Sequence, residues 1–443
     1  MEEKVWEYEE AIAYLKNLTK FGINLGLERI KALLAAIGNP EQSLRVIHIG
    51  GTNGKGSTCA FLSSVLQQAG YKVGMFISPH LHDYRERISI NGELISRADV
   101  AAGIKLLKPA LEKIVAEGVE HPTEFEVTTT LALNYFAAEQ PDFVLLEVGL
   151  GGEIDSTNVV TPIVSVITSI AFDHKDYLGN TLAEIAAVKA GIIKEGIPVV
   201  ADVDDSEAFE VIRRRAEAKA AKLIRLGQDV HYRKVASNMM DYQGLNLKFE
   251  GLEVALFGEH QLSNASKALA VCEMLRDGYA VNIPEKAIRE GLKKVSWPGR
   301  QELISTEPKI LLDGAHNVQG MQSLAKALTD NATGYYQRDR LILCLGMLAD
   351  KERAQALAVI APLASQIIIT KPDSARAGDW QELSALAEAF VGRENLLVIE
   401  DPILAVKEAL KGLQKEDMLV ITGSFYMLGP VREYLLNSWL SSK

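Results

Sequence analysis

The run Gly51-Thr52-Asn53-Gly54-Lys55-Gly56-Ser57 combines the residue types that a nucleoside triphosphate requires. Glycines let the backbone approach phosphate oxygens, inward N–H groups donate to them, and a lysine neutralises the terminal phosphates. Thr52, Asn53, Gly54, Lys55, Gly56 and Ser57 are therefore the candidate nucleotide-binding residues, with Lys55 as the catalytic cation for the β- and γ-phosphates. An extra glycine separates the lysine from the hydroxyl residue, a departure from the general G-x-x-x-x-G-K-[ST] spacing. A plain glycine-rich turn would show the same letters. The phosphate reading is selected by context, because such a loop must join a strand to a helix.

That context is present. Residues 45–51 (RVIHIGG) form an apolar run entering the glycines, and Phe61, Leu62, Val65, Leu66 and Ala69 follow at helical spacing, with Gly70 as the stop. Further short apolar runs, VGMFI (73–77), DFVLLEV (142–148), IVSVIT (163–168) and PVV (198–200), alternate with helical stretches. Runs of this kind are expected of parallel strands covered on both faces. In 245–257, Leu245, Leu247 and Phe249 alternate with polar residues and Glu250-Gly251 reads as a turn, which predicts an antiparallel hairpin. Pro298-Gly299 interrupts the pattern within Val295–Arg300, and β/α alternation then restarts with KILL (309–312), LILCL (341–345), IIIT (367–370), LLVI (396–399) and MLVIT (418–422). The expected division is 1–296 and 297–443, the second part a doubly wound domain.

At 443 residues the chain exceeds the size that one core usually organises. Its composition, 48% hydrophobic and 24% charged, is that of a globular protein, and no run approaches the roughly 20 apolar residues of a membrane span. The acidic, polar N-terminus is unlike a secretory or transit peptide. Cys59, Cys272 and Cys344 are scattered without metal spacing, so a reducing cytoplasm is expected. A net charge of −11 argues against a nucleic-acid partner. A monomer is the default expectation.

The phosphate run resembles that of the Mur ligase superfamily, and further motifs narrow the likeness to folylpolyglutamate and dihydrofolate synthases. In order they are Ser78-Pro79-His80-Leu81 with Glu86-Arg87-Ile88, Glu147-Val148-Gly149-Leu150-Gly151-Gly152 with Asp155-Ser156-Thr157-Asn158, and Phe172-Asp173-His174. Lys189-Ala190-Gly191-Ile192, Trp297-Pro298-Gly299-Arg300 and Asp313-Gly314-Ala315-His316-Asn317 complete the series. The resemblance spans Leu25 to Ser424. It implies an α/β protein, a P-loop central domain of the Mur-ligase type with a mostly parallel sheet plus a smaller Rossmann-like C-terminal domain. It also implies a ligase that uses ATP and Mg²⁺ to join L-glutamate to a folate or to dihydropteroate through an acyl phosphate.

The resemblance also implies roles. Ser78, Glu147 and His174 match magnesium-binding positions, and oxygen donors suit a magnesium that shares phosphate oxygens. Lys189 matches a lysine that becomes a carbamate, which requires the neutral amine favoured by burial. Asn264, Arg300 and Asp313 match nucleotide contacts, and an arginine from a second domain would neutralise charge only on closure. His316 matches a residue near the reacting atoms, and Ser424 in Gly423-Ser424-Phe425-Tyr426 is a weaker match of the same kind. Ile23, Asn24, Leu25, Thr123, Glu124, Phe125, Glu126, Ile154, Asp155 and Ser156 match positions that hold dihydropteroate, with the Phe125 ring suited to stacking on a flat heterocycle. Glu153 stands where many members carry arginine, a reversal of charge beside the substrate loop. Two other readings are weighed against this one: a family member acting on a cell-wall precursor or peptide-like polymer, and a P-loop switch that hydrolyses without making a bond. A requirement of ATP turnover for both folate and glutamate separates the three.

Overall fold

The computed structural model describes residues 7–22, 24–330 and 336–442. Its largest element is an eight-stranded sheet of order β4-β3-β2-β5-β1-β6-β7-β8. The strands are β1 (Val46–Gly50), β2 (Val73–Phe76), β3 (Ile88–Ile90), β4 (Glu93–Leu94), β5 (Phe143–Glu147), β6 (Val164–Ile167), β7 (Val199–Ala201) and β8 (Leu223–Arg225). From β2 to β8 every pairing is parallel, while β3 and β4 extend one edge antiparallel.

The side-chain alternation of a strand explains why both faces are covered. In β5, Phe143 and Leu145 join one hydrophobic cluster, whereas Val144 and Leu146 join another on the opposite face. Helices Lys55–Gln68, Glu259–Tyr279 and Glu285–Lys294 supply the first layer. Helices Tyr8–Leu18, Glu28–Ala36, Arg97–Ala116 and Glu124–Glu139 supply the second.

Residues 231–253 form a separate antiparallel sheet of β9 (His231–Ala236), β10 (Met239–Gln243) and β11 (Lys248–Glu253) in the order β11-β10-β9. Here the structure corrects the expected hairpin. Gly251 lies within β11 and not in a turn, and its partner β10 precedes it. The register shift between Met240 and Tyr242 absorbs the Glu250-Gly251 irregularity as a bulge, which a sequence reads as a turn. β10, with its Met and Asp, carries little strand signal.

The remaining strands make a six-stranded sheet of order β12-β13-β17-β14-β15-β16. They are β12 (Glu302–Thr306), β13 (Lys309–Asp313), β14 (Leu341–Leu345), β15 (Gln366–Ile369), β16 (Leu396–Val398) and β17 (Met418–Thr422). The five expected runs all pair in parallel, and β12 adds an antiparallel edge. Again the alternation is two-sided: Leu341, Leu343 and Leu345 face one cluster, and Ile342 and Cys344 the other. Cys59, Cys272 and Cys344 are all buried and unpaired. No helix among the described residues is long and apolar enough to cross a membrane.

Candidate functional site

In open α/β sheets, ligands bind beyond the carboxyl ends of the strands where the strand order reverses. β1 sits at such a point, between β5 and β6. Beyond the carboxyl edges of both parallel sheets lies a cleft of about 800 Å³. The larger sheet contributes residues 51–57 after β1, Ser78 after β2, Glu147 ending β5 and His174 after β6. The smaller contributes Asp313 ending β13 with His316 after it, and Phe425 after β17.

The phosphate loop is shaped for a ligand. Gly51 and Gly54 have φ of +135° and +85°, and a Cβ at Gly54 would collide with the Asn264 amide. Thr52 N–H donates to Ser169 O at 2.8 Å and Asn53 N–H to Ser169 Oγ at 3.0 Å, which fixes the loop from behind. Helix Lys55–Gln68 begins inside the loop, so its first-turn N–H groups have no helical acceptor. Ser57 is buried in that turn and Gly56 packs against the Trp297 indole. Lys55 Nζ donates to the carbonyls of Gly51 and Thr52 at 3.2 and 3.0 Å.

Glu147 and Lys189 flank this loop. Glu147 is buried, its Oε2 accepts from Ser78 N–H at 3.1 Å, and burial pushes its carboxyl above the ordinary value against the pull of Lys55. Lys189 ends a helix, Leu182–Lys189, that opens with a Thr181/Glu184 capping box. Ile185 and Lys189 are four residues apart, so the lysine shares the buried face. Its Nζ donates to Gly51 O at 2.9 Å, and burial together with nearby Lys55 pushes its pKa down to about 7. Gly152 makes this approach possible, since a Cβ there would come within 2.7 Å of Lys189 O.

Charged groups from both sheets meet at Asp173 and His174. His174 has φ +50°, and burial lowers its pKa to about 4. Asp173 Oδ2 accepts from Asn317 Nδ2 at 3.2 Å and lies 3.7 Å from His316 Nε2. Asn317 and Gln319 also hold the Asn53 amide, at 3.2 and 2.7 Å. His316 Nδ1 sits 2.8 Å from Gly314 O, and its ring meets Phe425 edge-on. Arg300 lies over the Phe425 ring with its guanidinium carbon 4.4 Å from the centroid. Asp313 accepts from Gln301 N–H and Ala315 N–H, each at 2.9 Å, and burial pushes its carboxyl upward against the Arg300 charge. Asn264 is buried on helix Glu259–Tyr279 and donates to Gln261 at 3.0 Å. Ser424 is buried and caps the helix starting at Phe425.

The residues expected to hold the pteridine-bearing substrate form a second group; Ile23 among them lies outside the described residues. The others do not line the nucleotide cleft, and the segment 149–155 connects the two places. Phe125 packs on Gly149, and Asp155 Oδ2 accepts from Leu150 N–H at 2.7 Å. Ile154 is half-buried and Ser156 buried beside it. Thr123 and Glu126 form the capping box of helix Glu124–Glu139. Glu124 accepts from the Tyr84 hydroxyl and lies 3.5 Å from Arg87.

Arg29, given no role in the sequence reading, ties this group together. Its buried guanidinium donates to Asn24 O at 2.6 Å, Glu126 Oε2 at 3.1 Å and Glu120 Oε2 at 3.2 Å, holding the segment that carries Leu25. It follows Leu25 by four residues, which is the signal the sequence offers for it. Glu153 is exposed and lies 3.4 Å from Arg215, so its charge has a local partner.

No group of three or more His, Cys, Asp or Glu side chains among the described residues is arranged to hold a metal alone. The donors nevertheless fit a hard cation that shares phosphate oxygens: Ser78 and the Glu147 carboxylate, joined through the Ser78 N–H, both line the cleft beside the loop, and such an ion takes one or two protein ligands.

Comparison with known proteins agrees with this geometry. The Mur ligase middle domain matches residues 49–272, and the Mur ligase glutamate ligase domain matches 299–425. A dihydrofolate synthase/folylpolyglutamate synthase of Bacillus subtilis is 39% identical over 97% of this chain and 99% of its own. An Escherichia coli structure in complex with DHPP and ADP superposes with a TM-score of 0.85 at 32% identity, covering 97% and 98% of the two chains. A bifunctional folylpolyglutamate synthase/dihydrofolate synthase from Yersinia pestis, complexed with AMPPNP and a Mn ion, gives 0.85 at 30% identity with the same coverage.

Proposed function

The chain belongs to the Mur ligase family, in its folylpolyglutamate and dihydrofolate synthase branch, and from that premise we propose how its residues divide the work of joining L-glutamate to a folate or dihydropteroate. The observation that carries the assignment of roles is the convergence of residues 51–57, Glu147, Lys189, Arg300 and Asp313 on one cleft from two sheets. A carboxylate oxygen is a poor leaving group, so amide formation at neutral pH needs activation. The substrate carboxylate attacks the γ-phosphorus of ATP and ADP departs. The glutamate amine then attacks the acyl carbon, inorganic phosphate leaves with the former carboxylate oxygen, and the amine gives up a proton.

Residues 54–57 bind the phosphates through backbone N–H groups, Thr52 and Asn53 frame the loop from Ser169, and Lys55 turns from its own loop carbonyls to neutralise the terminal phosphates. Arg300 approaches from the far side of the linker to balance charge on the transferred group, oriented by Phe425 and Asp313. Asn264 contacts the nucleotide from its helix, and His316, held by Gly314 O, faces the reacting end. Ser78 and Glu147 would hold one magnesium, and His174 would hold a second together with Lys189 once carbamylated. Magnesium supplies charge neutralisation to the phosphates when bound. The low pKa of Lys189 leaves a neutral amine able to take up CO2 near pH 7. The pteridine substrate occupies the space bounded by Asn24–Leu25, Glu124–Phe125 and Ile154–Ser156, framed by the Thr123–Glu126 cap and Arg29.

The two units divide between residues 296 and 297, a reading supported by the separate sheets on either side. The enzyme works as a cytoplasmic monomer. The test is an amide-forming assay with dihydropteroate and tetrahydrofolate side by side, products identified by mass. Glutamate-dependent release of ADP and phosphate is expected; AMP and pyrophosphate formed in step with amide would overturn the acyl-phosphate route.

A further inference from the structure

Lys351 lies outside every role described so far, yet it touches Asp173 and His174, two residues that line the cleft. It sits in the segment after β14, on the smaller sheet's side, and its side chain is 4% exposed. Its Nζ donates to Asp173 Oδ1 at 2.6 Å and lies 3.3 Å from His174 Nε2. Asp350 Oδ2 is a further neighbour at 3.5 Å and is itself held by Arg376 at 2.6 Å.

The segment is built to deliver this lysine. Arg353, 7% exposed, has its guanidinium spent on backbone carbonyls: Leu348 O at 3.1 Å, Met347 O at 3.0 Å, Asp379 O at 2.7 Å and Ala377 O at 2.5 Å. Four carbonyls converging on one buried guanidinium specify one loop shape, because losing the shared donor would leave buried acceptors unpaired. A second pair beside it, Lys175 Nζ to Glu352 Oε1 at 2.5 Å, fastens the same loop to the larger sheet's side.

An ammonium 3.3 Å from His174 Nε2 treats that nitrogen as an acceptor, so the nitrogen's lone pair points at Lys351. A divalent metal on the same lone pair would sit roughly 2 Å from the nitrogen, within the space of the ammonium. Two cations cannot share that position. Resting on the reading of His174 as a metal ligand, we propose that Lys351 is a resident cation competing with the divalent metal for His174. Metal arrival sends the ammonium wholly onto Asp173 and Asp350, and so couples loading of the site to the seating of the 347–352 loop. Lys351 is thus a positioning residue that holds His174 and Asp173 in order before the metal binds.

The full-length protein, saturated with a non-hydrolysable ATP analogue, is titrated with Mn²⁺ and the free ion followed by electron paramagnetic resonance. Removing the competitor in Lys351→Met and Lys351→Gln should tighten the His174-dependent Mn²⁺ by about tenfold, whereas Lys351→Arg, which keeps the charge, should not. The gain should vanish in the double variant Lys351→Met/His174→Gln. If His174→Gln weakens Mn²⁺ binding but neither uncharged variant at 351 tightens it, the competition is overturned while the ligand reading stands. If His174→Gln has no effect on Mn²⁺, both are overturned. Thermal unfolding of each variant confirms that the folded protein is being titrated, and with two uncharged variants the result does not hang on one substitution.

Discussion

At the scale of single residues, Lys55 and Lys189 carry opposite expectations despite bonding to the same carbonyl of Gly51. Lys55→Ala removes a cation from developing phosphate charge, a loss of about 3 kcal/mol in the barrier by analogy with lost oxyanion donors. It should lower kcat by two orders of magnitude or more, with unfolding temperature unchanged. Lys189 must be neutral to react with CO2. Because burial and Lys55 hold its pKa at about 7, well below the ordinary lysine value, the reactive amine becomes the major form as pH rises through about 7. Turnover in CO2-depleted buffer should therefore fall and return with bicarbonate, more completely above that pH than below it. Lys189→Ala should be partly rescued by a short carboxylate, and Lys189→Arg, a permanent cation, should not. Full turnover in Lys189→Arg would end the carbamate role.

At the scale of elements, positions are set by contacts that a linear pattern does not display. Residues 51–57 and the five parallel strands of the smaller sheet were legible because their signals are local: apolar runs of strand length, glycines where φ is positive, helical spacing behind. The burial of Lys189 entered only through the resemblance, since its amine is held by Gly51 O, 138 residues earlier in the chain, and Gly152 lies against its backbone. The role of Arg29 is hidden for a similar reason, as its partners Glu120 and Glu126 lie far along the chain. Gly152→Ala should displace Lys189 and cost about 1–3 kcal/mol of stability as an overpacked contact, while turnover falls further than stability alone explains. Arg29→Met should raise KM for the pteridine substrate with little change in KM for ATP; equal changes in both would remove Arg29 from the substrate frame.

Helix Glu259–Tyr279, which carries Asn264, has its own anchor in the buried Lys267, bonded to Asp202 at 2.6 Å and Ser263 at 2.8 Å. Burial raises the Asp202 carboxyl, but the Lys267 charge and the bonds from Lys267 and Ser263 outweigh it and leave the group below its ordinary value. A depressed carboxylate contributes stability above its unfolded pKa and loses it as pH falls through the folded one. Asp202→Asn should accordingly destabilise the protein by about 2 kcal/mol at neutral pH, with the gap to wild type closing in acid, measured by denaturant unfolding across pH.

At the scale of the whole molecule, the two sheets present their carboxyl edges to a common space, so the site exists only when both are in place. The linker is part of that arrangement, because Trp297 packs its indole on Gly56 at the start of the phosphate-loop helix. Binding of an ATP analogue should change tryptophan fluorescence, and Trp297→Phe should abolish most of the change while leaving nucleotide affinity within a few-fold of wild type. An unchanged signal in that variant would place the reporter elsewhere among the four tryptophans.

The three buried thiols give the molecule a set of internal clocks. Cys59 lies in the helix behind the phosphate loop, Cys272 in the helix that carries Asn264, and Cys344 in β14 of the other sheet. Burial pushes the Cys272 and Cys344 thiols up to about 12 and Cys59 well above its usual value, so the reactive thiolate is scarce in the folded state at each. Alkylation can then proceed only through local or global opening, and its rate at each sulfur reports how often that part of the fold comes apart. Mass-resolved labelling of the native chain should yield separate opening rates for the two sheets without any introduced probe. Nucleotide should slow Cys59 and Cys272 more than Cys344, so that the protein's own sulfur atoms record which half a ligand steadies.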